Sequence, residues 1–283
     1  ELLPGLAPQA AHRLHSATGG NPLALLELAA EADELAFAPA GAAMPVPTTI
    51  SGAFMRRVER LDPAGRRALL LAASSDSGDL RMLEMAATKL DVDLSALAGA
   101  ERAGLVLLRA GQVEFRHVLV RSAVYASADA DERRAAHRAL ASALPDRDVD
   151  RRAWHLAAAA LGTDGAAAAA LQQAGARARD RSAYASAAGA FARGARLATD
   201  PERRALMLWE AAEAAWLAGL DDRASGLVDE LRDQTEDPAL INKLDHLSGY
   251  IAIRGGRVSE GRAILTTAAS AQSPNWRWRC CRR

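Results

Sequence analysis

Along most of this chain apolar residues recur at the three-to-four spacing of one helix face, and in a single place they alternate instead. Phe54, Val58 and Leu61 form one stripe with Arg56, Arg57, Glu59 and Arg60 outside it, which predicts a helix from Ile50. Asp62-Pro63 opens a second helix that carries Leu69, Leu70 and Leu71 and stops at the polar break 74–78. Further helices are expected over 79–90 and 93–103. Then the period changes to two. Leu105 to Leu108 are a short apolar run, Ala110-Gly111 is a turn signal, and Val113 and Phe115 alternate with Gln112, Glu114 and Arg116, which together read as a β-hairpin. A lone hairpin is marginal in water unless helices pack on it, and helices over 119–128 and 131–144 are expected to cover its open face.

Helices followed by a hairpin are the order of a winged helix, so 50–149 read as such a domain with its covering helices. From Arg151 onward the helices come in pairs. Longer ones over 164–180, 201–219 and 237–254 are each followed by a shorter one, over 183–197, 221–231 and 257–268. The spacing of roughly three dozen residues falls in the tetratricopeptide range, and the turns Ala218-Gly219-Leu220-Asp221 and Arg254-Gly255-Gly256-Arg257 match in register. An irregular helical bundle is the other architecture this pattern allows. Ahead of the hairpin region, a helix over 7–18 breaks at Gly19-Gly20-Asn21-Pro22 before a second apolar helix, and 36–49, with Pro39, Pro45 and Pro47, read as a linker. The expected fold class is mainly α, with one β-hairpin in a winged-helix domain and a TPR-like helical array over 150–270.

Composition narrows the function classes. Lys and Arg together number 35 and balance 35 Asp and Glu over 283 residues, so the chain lacks the basic footprint of a nucleic-acid binder. The helix over 93–103 carries only Arg102 against Asp93 and Glu101, and direct DNA binding is not expected. Cys280 and Cys281 are adjacent, with neither metal-ligand nor disulfide spacing. The longest apolar runs, such as 166–171, are far below a membrane span, no leader opens the chain, and a cytoplasmic location is expected. The tail over 271–283, ending NWRWRCCRR, breaks the helical pattern abruptly and reads as an artefactual or frame-shifted end rather than an aromatic-basic patch.

Candidate chemistry is sparse. No GxxxxGK[ST] and no nucleophile with a base is present, so no catalytic residue is assigned and the chain is not expected to be an enzyme. Of the six histidines, His12 and His15 share a helix face but lack a completing ligand; the histidines are expected to be exposed or to cap helices, and no metal site is assigned. Gly20-Asn21-Pro22 reads as a C-cap glycine followed by a first-turn proline, and the same residues can set backbone and ring against a flat ligand. Arg116, His117 and Arg121 follow the hairpin where a winged helix would meet a phosphate backbone. The scaffold alternative pairs Arg121 with Asp129 or Glu132 and makes Tyr125 and Trp154 core residues with a polar handle; Arg133, Arg134 and Arg138 read as a solvated face.

Four strings occur in order: TGGNPLALLEL (18–28), VEFRHVLVRSAVYASA (113–128), ERRAAHRALASAL (132–144) and DRRAWHLAAAALGTD (150–164). Together they resemble the large actinobacterial LuxR-type transcriptional regulators that carry a MalT-like signal-transduction ATPase module. The resemblance implies a fragment: a helical lid remnant over 1–35, the linker, the winged helix, and repeats that serve as a sensing arm. It places Gly20, Asn21 and Pro22 near a bound adenine and makes Arg116, His117, Arg121 and Tyr125 the junction between switch and arm. ATP or ADP is expected in the intact regulator and not on this chain alone, because the P-loop core expected before residue 1 and the helix-turn-helix expected after 270 are absent. The implied partners are those two intramolecular domains and an unidentified small-molecule or protein inducer on the repeats. A stand-alone repeat adaptor without nucleotide is the alternative.

Overall fold

Among the described residues aspartate precedes most of the helices. In a computed structural model that describes residues 56–270, Asp62 Oδ1 accepts from Gly65 N at 2.6 Å and Pro63 supplies the first turn of α1 (Pro63–Ser74). Asp79 caps α2 (Leu80–Leu90) through Arg81 N and Met82 N. A 3-10 turn, Leu94–Ala96, leads into the short α3 (Leu97–Arg102). Asp164 caps α7 (Gly165–Asp180), while Asp200-Pro201 and Asp237-Pro238 open α9 (Pro201–Leu217) and α11 (Pro238–Arg254). The expected helix from Ile50 is described only at its end, over 56–59. The lid remnant, linker and tail, with Gly20, Asn21 and Pro22, lie outside the described residues.

The hairpin forms where the period changes. Strand β1 (Val106–Arg109) pairs antiparallel with β2 (Gln112–Phe115), Leu108 facing Val113 and Arg109 facing Gln112. Ala110 and Gly111 both take positive φ, 48° and 79°, the geometry of a two-residue turn whose twist matches the strands. The segment before α2 lies along β2: Val113 N donates to Gly78 O at 2.8 Å and Leu80 N to Gly111 O at 2.9 Å. Gly78 itself has φ 66°, and a Cβ there would stand 2.4 Å from the Val113 carbonyl oxygen.

Helices α4 (Val118–Ser127) and α5 (Ala130–Ala143) do not share one task. Helix α4 rests on β2 and α1, whereas α5 packs chiefly against α2 and α6 (Val149–Ala159), so the expected cover over the hairpin comes from α4 and from the segment at Gly78. Leu69, Leu71, Leu83, Leu97, Leu105 and Leu140 are fully buried in one core shared by these elements. Each contributes roughly 2 kcal/mol of apolar burial.

Beyond α6 the chain is a series of antiparallel helices packed on their sequence neighbours: α7, α8 (Tyr184–Leu197), α9, α10 (Asp221–Arg232), α11 and α12 (Val258–Ser270). Three interhelix turns repeat at 37-residue intervals. Ser182, Gly219 and Gly256 take φ of 57°, 78° and 82°, and the next residue's N–H returns to the carbonyl of Ala178, Ala215 or Ala252 at 2.8–2.9 Å. Those three alanines are buried, and small residues let the helices approach closely. A Cβ at Gly175 of α7 would lie 2.7 Å from the buried Phe191 ring of α8.

Two substitutions separate turn chemistry from close approach. Ala110→Asn suits the left-handed turn position and is expected to stabilise the protein by about 0.5–1 kcal/mol in urea unfolding. Gly78→Ala forces a side chain into an unfavourable φ and onto a carbonyl, and is expected to cost about 2 kcal/mol or more in the same measurement.

Candidate functional site

The loop between α1 and α2, read from sequence as a polar break, is partly buried and is where the hairpin region meets α6. Ser74 and Ser75 are 4 % and 2 % exposed. Ser75 Oγ accepts from Gly78 N at 3.2 Å, which holds the turn, and two arginines from later helices secure it. Arg121 of α4 donates its Nε to Ala73 O at 2.9 Å and a terminal nitrogen to Ser75 O at 2.6 Å, satisfying carbonyls left over at the end of α1. Arg151 of α6 grips Asp76 with both arms of its guanidinium, Nε to Oδ2 at 2.6 Å and a terminal nitrogen to Oδ1. Burial alone would raise the Asp76 pKa, but the adjoining His155 and Arg151 side chains more than reverse this and hold the carboxyl well below its ordinary range.

From Asp76 a line of polar side chains crosses the junction. His155 Nε2 lies 4.0 Å from Asp76 Oδ1, an electrostatic contact longer than a hydrogen bond. His155 Nδ1 lies 2.9 Å from His137 Nδ1, and His137 Nε2 is 2.8 Å from the Tyr125 hydroxyl. One proton arrangement satisfies every atom with both rings neutral. Tyr125 O–H donates to His137 Nε2, His137 Nδ1–H donates to His155 Nδ1, and His155 Nε2–H faces the carboxylate. Burial pushes the His137 pKa down to about 3, and positive charge nearby, on His155 were it protonated and on Arg193, Arg121 and Arg133, acts in the same direction. The Tyr125 pKa is raised by burial against the pull of Arg133, Arg193 and Arg121. Arg193 of α8 reaches the same region, donating to Ala157 O at 3.3 Å, and burial lowers its pKa.

The sequence-assigned junction residues thus divide. Arg121 and Tyr125 sit in this network. His117 caps α4, its Nδ1 accepting from Leu119 N at 3.2 Å, and Arg116 is exposed beside the hairpin with its N–H bonded to Leu105 O at 3.0 Å. Three sequence expectations need correction. Arg121 does not pair with Asp129 or Glu132, because Glu132 Oε2 turns back to Asp129 N at 3.2 Å at the start of α5 while Arg121 is spent on the loop carbonyls. Arg133 is not simply solvated: it donates to Ala128 O at 2.7 Å at the end of α4 and lies 5.5 Å from the centre of the Tyr125 ring. His137 and His155, expected to be exposed or caps, are 8 % and 6 % exposed and face each other.

A second candidate is a groove of about 590 Å³ between α9 and α11. Trp209, Glu213 and Trp216 project from one face of α9, and Lys243, His246 and Tyr250 from the equivalent face of α11. By the 37-residue register His246 occupies the place of Trp209, and Tyr250 that of Glu213. Among the described residues no three His, Cys, Asp or Glu side chains are placed to hold a metal ion, and no helix is long and apolar enough to cross a membrane. No known protein family, curated protein or solved structure matches the chain.

The His137 geometry sets an acid sensitivity. Its pKa is lower folded than unfolded, so stability is intact above the ordinary histidine value and falls as the unfolded chain takes up a proton that the fold refuses. Between about pH 6.5 and about pH 4.5 this one site is expected to remove about 1 kcal/mol of stability per pH unit. Asp76 adds its own loss only below the ordinary carboxylate range. Urea unfolding across that window should show the slope in the native chain and a markedly flatter one in His137→Gln; equal slopes would sink the assignment.

Proposed function

We propose that this chain is the regulatory relay of a nucleotide-switched LuxR-type transcriptional regulator, joining a winged-helix module over 50–149 to a TPR-like sensing arm over 150–270. The supporting observation is the junction itself. Asp76 belongs to the hairpin module, Arg151 and His155 to the first helix of the arm, and Asp76 finds its charged partner Arg151 across the seam while Arg151 also holds Asp148 at the start of its own helix. Breaking the contact leaves a partly buried carboxylate without that partner, which favours the two modules moving together or separating at one defined seam. A tether between independent modules does not need such a seam.

The repeats support the sensing role. Their helices stack by nearest-neighbour contacts, and stacked repeats transmit a bend along the array as small rotations at each interface. In the intact regulator an adenine nucleotide on an ATPase core near Gly20, Asn21 and Pro22 favours one arrangement of the winged helix. An inducer on the arm favours another, and the junction makes the two equilibria interdependent. On this reading Arg121 and Tyr125 act at the junction, while His117 and Arg116 hold the entry to α4.

The reading is tested on the longest polypeptide encoded by the gene's reading frame. ATP and ADP affinities measured with and without residues 150–270 are expected to differ by about fivefold or more, the usual range of coupling between sites. Equal affinities, or a frame that encodes no GxxxxGK[ST] upstream, leave the stand-alone adaptor, in which the α9–α11 groove works without a nucleotide.

A further inference from the structure

The α9–α11 groove sets two charged side chains among aromatic rings. Several charges of the array pair between helices: Arg179 with Glu210, Arg204 with Glu230, Arg232 with Asp245 and Arg254 with Asp221. Glu213 and Lys243 take part in none of these pairs, although both line the groove. Lys243 Nζ lies 6.0 Å from the centre of the Trp209 ring. Trp216 and Tyr250 form the opposite end, their rings 5.8 Å apart and inclined by 31°. The indole N–H of Trp216 is buried and has no acceptor among the described residues. Tyr250 is half exposed, so part of this aromatic surface faces water.

We propose that this groove binds a small zwitterionic molecule with a flat apolar body, its carboxylate on Lys243, its ammonium on Glu213 and its body between the aromatic rings. This rests on the reading of the array as the sensing arm and names the ligand class that the arm takes. A volume of about 590 Å³ lies within the range of small-molecule sites, in which aromatic walls supply contact and a few polar groups supply orientation. The two charges choose among ligand types. A purely apolar occupant would strip water from Glu213 and Lys243 and return nothing. A simple anion would meet Lys243 but be repelled by Glu213, and a simple cation the reverse. A molecule carrying both charges answers both at once.

Four fluorinated probes with one shared ring separate the possibilities by 19F NMR titration of the whole chain: 4-fluorophenylalanine, 3-(4-fluorophenyl)propionate, 4-fluorophenethylamine, and the peptide acetyl-Gly-(4-fluoro)Phe-Gly-amide. The zwitterion is expected to bind tightest. Glu213→Gln should weaken the zwitterion and the amine by about fivefold and spare the propionate, while Lys243→Met should weaken the zwitterion and the propionate and spare the amine. Both positions lie on the groove surface, and unchanged thermal unfolding of the variants shows that the array is intact. Equal affinity for all probes, indifference to both substitutions, no binding at millimolar concentration, or tighter binding of the capped peptide each overturns the assignment, the last in favour of an extended chain. Coupling between the repeats and nucleotide affinity is measured separately, so the ligand class can fall while the relay stands.

Discussion

A single partly buried carboxylate governs how the two halves of this protein meet. Asp76 sits in a loop between the buried Ser75 and Gly78, and an ionised group there gains from compensation outside its own helix. Arg151 supplies it with a two-pronged grip, and His155 lies 4.0 Å from it on the far side. Since Arg151 and His155 lie on one face of α6, this contact turns that face toward the loop, while α5, packed on both α2 and α6, holds the two at their spacing. Everything that follows α6 inherits that placement, because each later helix is positioned by the one before it.

The array answers a different constraint, the distance of closest approach. Ala178, Ala215 and Ala252 recur at 37-residue intervals beneath the turns, and Gly175 lies against the Phe191 ring with no room for a methyl group. Close helices favour small side chains at their contacts, and the interior combines many alanines with larger residues such as Phe191, Met207, Leu231 and Leu244. Trp209, Trp216 and Tyr250 stand instead at the groove, which gives the array an aromatic surface.

How legible each feature was follows from the sequence separation of its parts. The hairpin register, the Asp-Pro helix starts and the 37-residue spacing depend on residues a few positions apart, and local chemistry announces them. Asp76 and Arg151 are separated by 75 positions, His137 and His155 by 18, and no periodicity indicates that they meet. Six histidines scattered along a chain look uncommitted until packing brings two together. The loop 74–78 was read as polar because its residue types are polar, whereas its burial depends on arginines that arrive from α4 and α6. The groove had a faint signal, since Trp209 with Trp216 and Lys243 with Tyr250 are each seven apart on one helix face, but that becomes informative only once the repeat register shows the two faces to be equivalent.

The line Tyr125–His137–His155–Asp76 has a property that a single ion pair lacks. With both rings neutral, the two hydrogen bonds Tyr125–His137 and His137–His155 share one direction, and the His155 Nε2–H that this direction leaves over points to the Asp76 carboxylate 4.0 Å away. The α1–α2 loop, α4, α5 and α6 are thereby linked by one donor-to-acceptor order. A displacement of α6 against the loop is therefore felt at the side chains of α4 and α5 as well as at Asp76.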